Sequence, residues 1–139
     1  MENILNLLPP LLEGTWVTIQ LALASTVLGG ILSFAAGIGK LSSNPLIRWL
    51  SVIYIEIFRG TSLLVQMFWL FFALPLLGVT LSPAMAGILA LSLNIGAYGA
   101  EVVRGAIQAV EPGQYEAAIA LNMGKTYTLG RIILPQPPV

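Results

Sequence analysis

The chain contains no cysteine and no histidine. Disulfides, thiol nucleophiles, histidine bases and the commonest metal ligands are therefore excluded, and the redox compartment stays undetermined. Charge is scarce as well. Six Lys and Arg balance six Asp and Glu, 9% of 139 residues, for a formal net charge of zero. A soluble domain carries about 25% charged residues, because water must wet its surface. With 57% hydrophobic residues and a mean hydropathy of +0.89, most of this surface is suited to lipid. No basic tract is present to follow nucleic-acid phosphates, so nucleic acid is not an expected partner. Residues 1–10 lack the positive region and small-residue cleavage site of a signal peptide, so the first hydrophobic segment is expected to remain as an anchor.

What is present is a series of uncharged runs. Residues 1–13 form an amphipathic lead-in, and Pro9-Pro10 is expected to keep it from joining the next helix smoothly. Residues 16–38 carry no charge; at 1.5 Å per residue they reach about 34 Å, enough for a hydrocarbon core of about 30 Å. Ser25, Gly29, Ser33 and Gly37 recur every fourth position and make a small-residue stripe for close helix packing, within the subunit or between subunits. Ser42-Ser43-Asn44-Pro45 is a turn. Residues 46–58 then read as a helix with Leu46, Leu50, Ile53 and Ile57 on one face; Arg48, Ser51 and Glu56 interrupt the others, which places it at the membrane interface. Gly60-Thr61-Ser62 is a kink into a second uncharged run, residues 61–77, and residues 83–100 form a third.

All six Lys and Arg lie between the first and second runs or after the third. The positive-inside rule then puts the N-terminus outside and both basic regions in the cytoplasm. Glu101, Arg104 and Glu111 show the third helix continuing past the apolar run before Pro112-Gly113 breaks it. Beyond lies a polar, alanine-rich island. Residues 115–121 form a short helix closed by Asn122-Met123-Gly124, and Thr126 caps a second one over residues 127–133, stopped by Pro135. Neither is long enough to be stable alone in water, so both need something to dock against. Ala117, Ala118 and Ala120 suit a groove on another protein. The proline-rich residues 135–139 are too short for another element.

No catalytic constellation can be named. Gly124-Lys125-Thr126 has the ending of a phosphate-binding loop but lacks its upstream glycine and strand. Gln66 and Asn94 are polar groups within apolar runs, and such groups either face a translocation cavity or bond one helix to another. Glu101 and Arg104, three apart on one helix face, either pair with each other or meet a substrate.

Several separated stretches resemble one family. Glu116-Ala117-Ala118, followed at intervals by Asn122 and Gly124 and then by Ile132, Leu134 and Pro135, is similar to the EAA loop of permease subunits of bacterial binding-protein-dependent ABC importers. The stretches 54–61, 96–107 and 113–118 resemble the polar amino acid permeases of the histidine, glutamine and arginine type, and the likeness covers residues 14–136. It implies an all-α membrane protein of the type I importer fold, with three transmembrane helices, an interfacial helix and a cytoplasmic helix–turn–helix. The coupling loop would comprise Gly113, Gln114, Glu116, Ala117, Ala118, Asn122, Gly124, Ile132, Leu134 and Pro135. Gln66, Asn94, Glu101 and Arg104 would be the candidates for the translocation path.

The implied partners are a cytoplasmic ATP-binding subunit, a second permease copy in a homo- or heterodimer, a periplasmic amino-acid-binding protein and the bilayer. ATP would be bound by the partner, with no cofactor on this chain and no enzymatic activity of its own. The implied location is the bacterial inner membrane. Ser62 stands where the family usually has Pro, and Asn122 where it has Gly. Two further spans that the family carries after residue 136 are missing from these 139 residues. The expectation is therefore a single, incomplete permease domain over residues 1–139; the alternative is a non-transporting truncated remnant or a small membrane-interaction protein.

Overall fold

The computed structural model describes residues 2–110 and 112–135. Among them every regular element is helical. The order is α1 (Glu2–Lys40), α2 (Pro45–Gly60), α3 (Leu63–Phe68), α4 (Pro83–Gln108), α5 (Pro112–Ala120) and α6 (Lys125–Thr128). A π turn over Trp69–Ala73 and a 3₁₀ turn over Leu74–Leu77 extend α3, and a π turn over Leu129–Ile133 extends α6.

The expected break at Pro9-Pro10 does not occur: both prolines lie inside the 39-residue α1. Proline's fixed φ of about −65° is itself helical, so the helix can continue through the pair, without their two N–H donors. The apolar run that follows keeps one direction through them. Asn6–Lys40 and Pro83–Gln108 are each long and apolar enough to cross a membrane.

These two helices form the core, and the small-residue stripe explains how. Ser25, Gly29, Ser33 and Gly37 are all buried. A Cβ on Gly29 would fall 2.7 Å from Ile95 Cβ, and one on Gly37 would fall 2.8 Å from the Ala100 carbonyl oxygen. The stripe therefore packs within the subunit, against α4. Contacts advance together along both chains, from Gly29 at Ile95 to Gly37 at Val103, so α1 and α4 run parallel. Ser33 Oγ donates to its own helix at Gly29 O (2.7 Å) and also lies 3.3 Å from Ile95 O.

Parallel neighbours require a return crossing between them. α1 ends at Lys40, beside Glu101 near the far end of α4, whereas α4 starts at Pro83. Residues 45–82 must carry the chain back, and they do so as a bent pair, Pro45–Gly60 and Leu63–Leu77, turned by 104°. α2 packs on both long helices. Its Ser51 abuts Gly39, its Tyr54 hydroxyl donates to Leu93 O at 2.6 Å, and its Arg59 guanidinium lies 5.6 Å from the Tyr98 ring centre. Leu63–Leu77 then runs toward the Pro83 end. The second run is thus present, though as three short helical pieces rather than one straight helix.

The apolar face read from the spacing of α2 points away from the bundle, as expected of a helix whose apolar side meets lipid. Leu46, Leu50 and Ile57 are exposed, and Ile55 is buried in a small core with Ala36 and Ala100, with Tyr54 packed against it. In lipid the apolar side of a helix has no reason to turn inward, and polar groups such as Ser51 and the Tyr54 hydroxyl do.

The caps follow local chemistry. Asn44 Oδ1 accepts from Leu46 N at 3.0 Å ahead of Pro45, and Ser82 Oγ accepts from Met85 N at 3.3 Å ahead of Pro83. Gly78 closes the 3₁₀ turn at φ +86°.

Candidate functional site

Two places hold the polar groups that the sequence singled out. The first is the elbow between α2 and α3. Gln66 is buried, and its Nε2 donates to Phe58 O (2.9 Å), Thr61 Oγ1 (2.8 Å) and Thr61 O (3.2 Å). These carbonyls belong to the unwound end of α2, which has no further turn to satisfy it. The side chain thus fills the hydrogen-bonding gap that the 104° bend opens. Asn94 Nδ2 approaches Gln66 Oε1 at 3.4 Å, a long contact from α4. Beside the amide lies an apolar cavity of about 280 Å³, lined by Ile57, Thr61, Val65, Trp69, Leu70 and Leu93 among others. Ser62, at the bend, has φ −67° and ψ 140°, and Thr61 before it is extended. This is the backbone that the family's proline would impose, so the kink survives its replacement by serine.

The second place is the end of α4. Glu101 and Arg104 pair as their spacing suggested, with Nη2 to Oε2 at 2.9 Å. The other carboxylate oxygen accepts from Lys40 Nζ at 2.6 Å. Sequence reasoning missed Lys40. It closes the first helix as Glu101 approaches the end of the third, and only knowing that the two run parallel brings them together.

From this end the chain enters an arm, α5 and α6. α4 stops at Gln108 and Pro112 opens α5 as its first residue, so the break precedes the Pro-Gly pair. Glu111 and Gln136 lie outside the described residues. α5 ends at Ala120, and Asn122 takes φ +56°, the left-handed conformation expected of it. Met123 N then donates to Ala118 O at 3.0 Å, closing the last turn.

The second helix begins earlier than its supposed threonine cap. Gly124 is the N-cap, without a side-chain bond, and Thr126 lies inside α6. Thr128 Oγ1 bonds back to Gly124 O at 3.1 Å instead. Of the loop residues, Gly113, Glu116, Ala117, Asn122, Gly124, Leu134 and Pro135 are exposed, while Gln114 and Ile132 are half-buried. Ala118 is buried, so the small-residue outer surface is made by Ala117 and Ala120 without it. Ile119 and Leu121 are exposed on the same short helix and its turn. Among the described residues, no group of three acidic side chains comes together to hold a metal ion.

Known proteins share this arrangement. Residues 25–136 match the family described as binding-protein-dependent transport system inner membrane component. A probable amino-acid ABC transporter permease protein of Sinorhizobium fredii is 63% identical over 135 residues, covering 93% of this chain and 57% of its own length. The L-cystine transport system permease protein TcyB of Bacillus subtilis is 40% identical, covering 92% of this chain and 55% of its own length. A crystal structure of an amino acid ABC transporter with histidines superposes with a TM-score of 0.86 at 34% identity, over 96% of this chain and 63% of the other. The chain thus spans somewhat more than half the length of the relatives it matches. With the ordered motifs, the parallel long helices and the arm all in place, the chain belongs to the family of inner membrane components of binding-protein-dependent transport systems.

Proposed function

We propose that this chain acts as the permease subunit of an ABC importer for polar amino acids, and that the arm over residues 112–135 is its contact with a cytoplasmic ATP-binding subunit. The observation that carries this reading is the arm itself. Two short helices meet at a left-handed Asn122, with Ile119 and Leu121 exposed. Helices of 9 and 4 residues do not hold such a surface for water alone. ATP belongs to the partner subunit in this reading, and a periplasmic amino-acid-binding protein and a second permease copy complete the importer. The basic residues set the orientation. Lys40 and Arg104 pair with Glu101, Arg59 lies over Tyr98 nearby, Arg48 follows the 41–44 turn, and Lys125 and Arg131 are on the arm that leaves this end. That end faces the cytoplasm under the positive-inside rule.

The cargo class is argued from relatives and stops at the class. Relatives named for L-cystine and for arginine transport are 40% and 36% identical to this chain, so identity does not separate cargoes. The test is capture of the ATP-binding subunit of a polar amino acid importer by this chain in detergent. Wild type is expected to retain it and Glu116→Lys to lose it, because Glu116 is exposed on α5. Equal capture by both would remove Glu116 from the contact, and no capture by wild type would overturn the reading.

A further inference from the structure

Glu101 is the point where α1 and α4 are joined by charge. Lys40 Nζ holds Oε1 at 2.6 Å, and Arg104 holds Oε2 through Nη2 at 2.9 Å and Nε at 3.0 Å. Arg104 Nη1 continues to Gln108 Oε1 at 2.6 Å, at the last turn of α4. Among the described residues, Lys40–Glu101 is the one ion pair that links two elements. The rest of the α1–α4 contact is made by glycine, serine, alanine and branched side chains meeting closely. These contacts interlock along the pair, from Gly29 at Ile95 to Gly37 at Val103, and Lys40–Glu101 adds a charged link at the end from which the arm leaves.

The location matters. The arm leaves α4 at this end, and α5 makes at most marginal contact with the long helices. A displacement of the arm therefore enters the bundle through the last turns of α4. What those turns are fixed to decides what moves.

We propose that Lys40, Glu101 and Arg104 form a clamp that holds the ends of α1 and α4 in register, so that a pull on the arm displaces both long helices as one body. Lys40 and Glu101 are positioning residues in this role. The clamp is a statement about the helices alone; its use in transport rests on the reading of the arm given above. Lys40→Met is a clean way to open it. Arg104 still neutralises the half-buried Glu101, so only the link between elements is lost.

The test places nitroxide labels at exposed positions 41 and 109 of the whole chain in lipid nanodiscs and reads their distance distribution, with and without the ATP-binding subunit. Wild type is expected to give one narrow population in both conditions. Lys40→Met is expected to lose it, most plainly with the subunit bound, and Lys40→Arg to regain it. Glu101→Gln is expected to loosen the pair in the same way and serves if Lys40→Met does not insert. A wild-type distribution in Lys40→Met and Glu101→Gln overturns the clamp, including where thermal stability has fallen. If wild type binds no ATP-binding subunit, the transport reading fails, and the distributions without it still decide the clamp.

Discussion

Gly96 and Gly105 lie on opposite sides of α4 and meet different surroundings. A Cβ at Gly96 would fall 2.7 Å from Leu32 Cβ and against the Tyr54 hydroxyl, whereas nothing lies within 4 Å of one at Gly105. Tyr54 is held by its bond to Leu93 O and cannot simply swing away. Overpacking of this kind costs about 1–3 kcal/mol. Replacing an open helical glycine by alanine gains up to about 1 kcal/mol. Gly96→Ala is therefore expected to destabilise the chain and Gly105→Ala to leave it unchanged or firmer, measured by unfolding in mixed detergent micelles. Equal effects would mean that α4 does not touch Leu32 and Tyr54 as described. The same scale shows what a sequence conceals. The spacing of Ser25, Gly29, Ser33 and Gly37 was legible as a packing stripe, because period four needs no partner to be seen. The opposing residues Ile95, Gly96, Gly99 and Val103 were not, since they depend on the direction of approach.

At the scale of elements, the bend between α2 and α3 was legible at Gly60-Thr61-Ser62, and its support was not. Gln66 was read as a choice between a cavity and a helix–helix bond, and it chiefly satisfies Phe58 O and Thr61 O on its own side of the elbow. A bond to a backbone that unwinds a turn and a half earlier leaves no periodic trace. The apolar face of α2 was legible from its spacing, whereas the burial of Ile55 and the inward turn of Tyr54 depend on what packs beneath them. One consequence is testable at the bend. Ser62 already has a proline-like φ of −67°, and Thr61 before it is extended at φ −114° and ψ 146°. Proline fits such a site without strain and narrows the unfolded chain's choices, which stabilises by about 0.4–1 kcal/mol. Ser62→Pro is thus expected to raise the unfolding midpoint in detergent. A lowered midpoint would show that the Ser62 N–H is needed in the fold.

For the whole molecule, parity of crossings ties the parts together. Because α1 and α4 run parallel, the bent pair must reach the opposite end, so the 78–82 turn and the 41–44 turn lie at opposite ends of the bundle. α4 then brings the chain back to the Lys40 end, where the arm begins. Length separated three apolar runs in the sequence, and the positions of the charges give the sense expected of them. Gly60-Thr61-Ser62 marked where the chain kinks, but no residue showed the 104° through which it turns. Single cysteines at positions 43, 80 and 124 test this arrangement, and no native thiol competes with them. With a membrane-impermeant thiol reagent, position 80 is expected to react in intact cells. Positions 43 and 124 should react only after permeabilisation. Reaction at 43 and 124 but not at 80 would reverse the orientation and leave the fold standing. Reaction of 43 and 80 from the same side would mean that the bent pair re-enters without crossing, and the parallel arrangement of the two long helices could not then span a membrane as a pair.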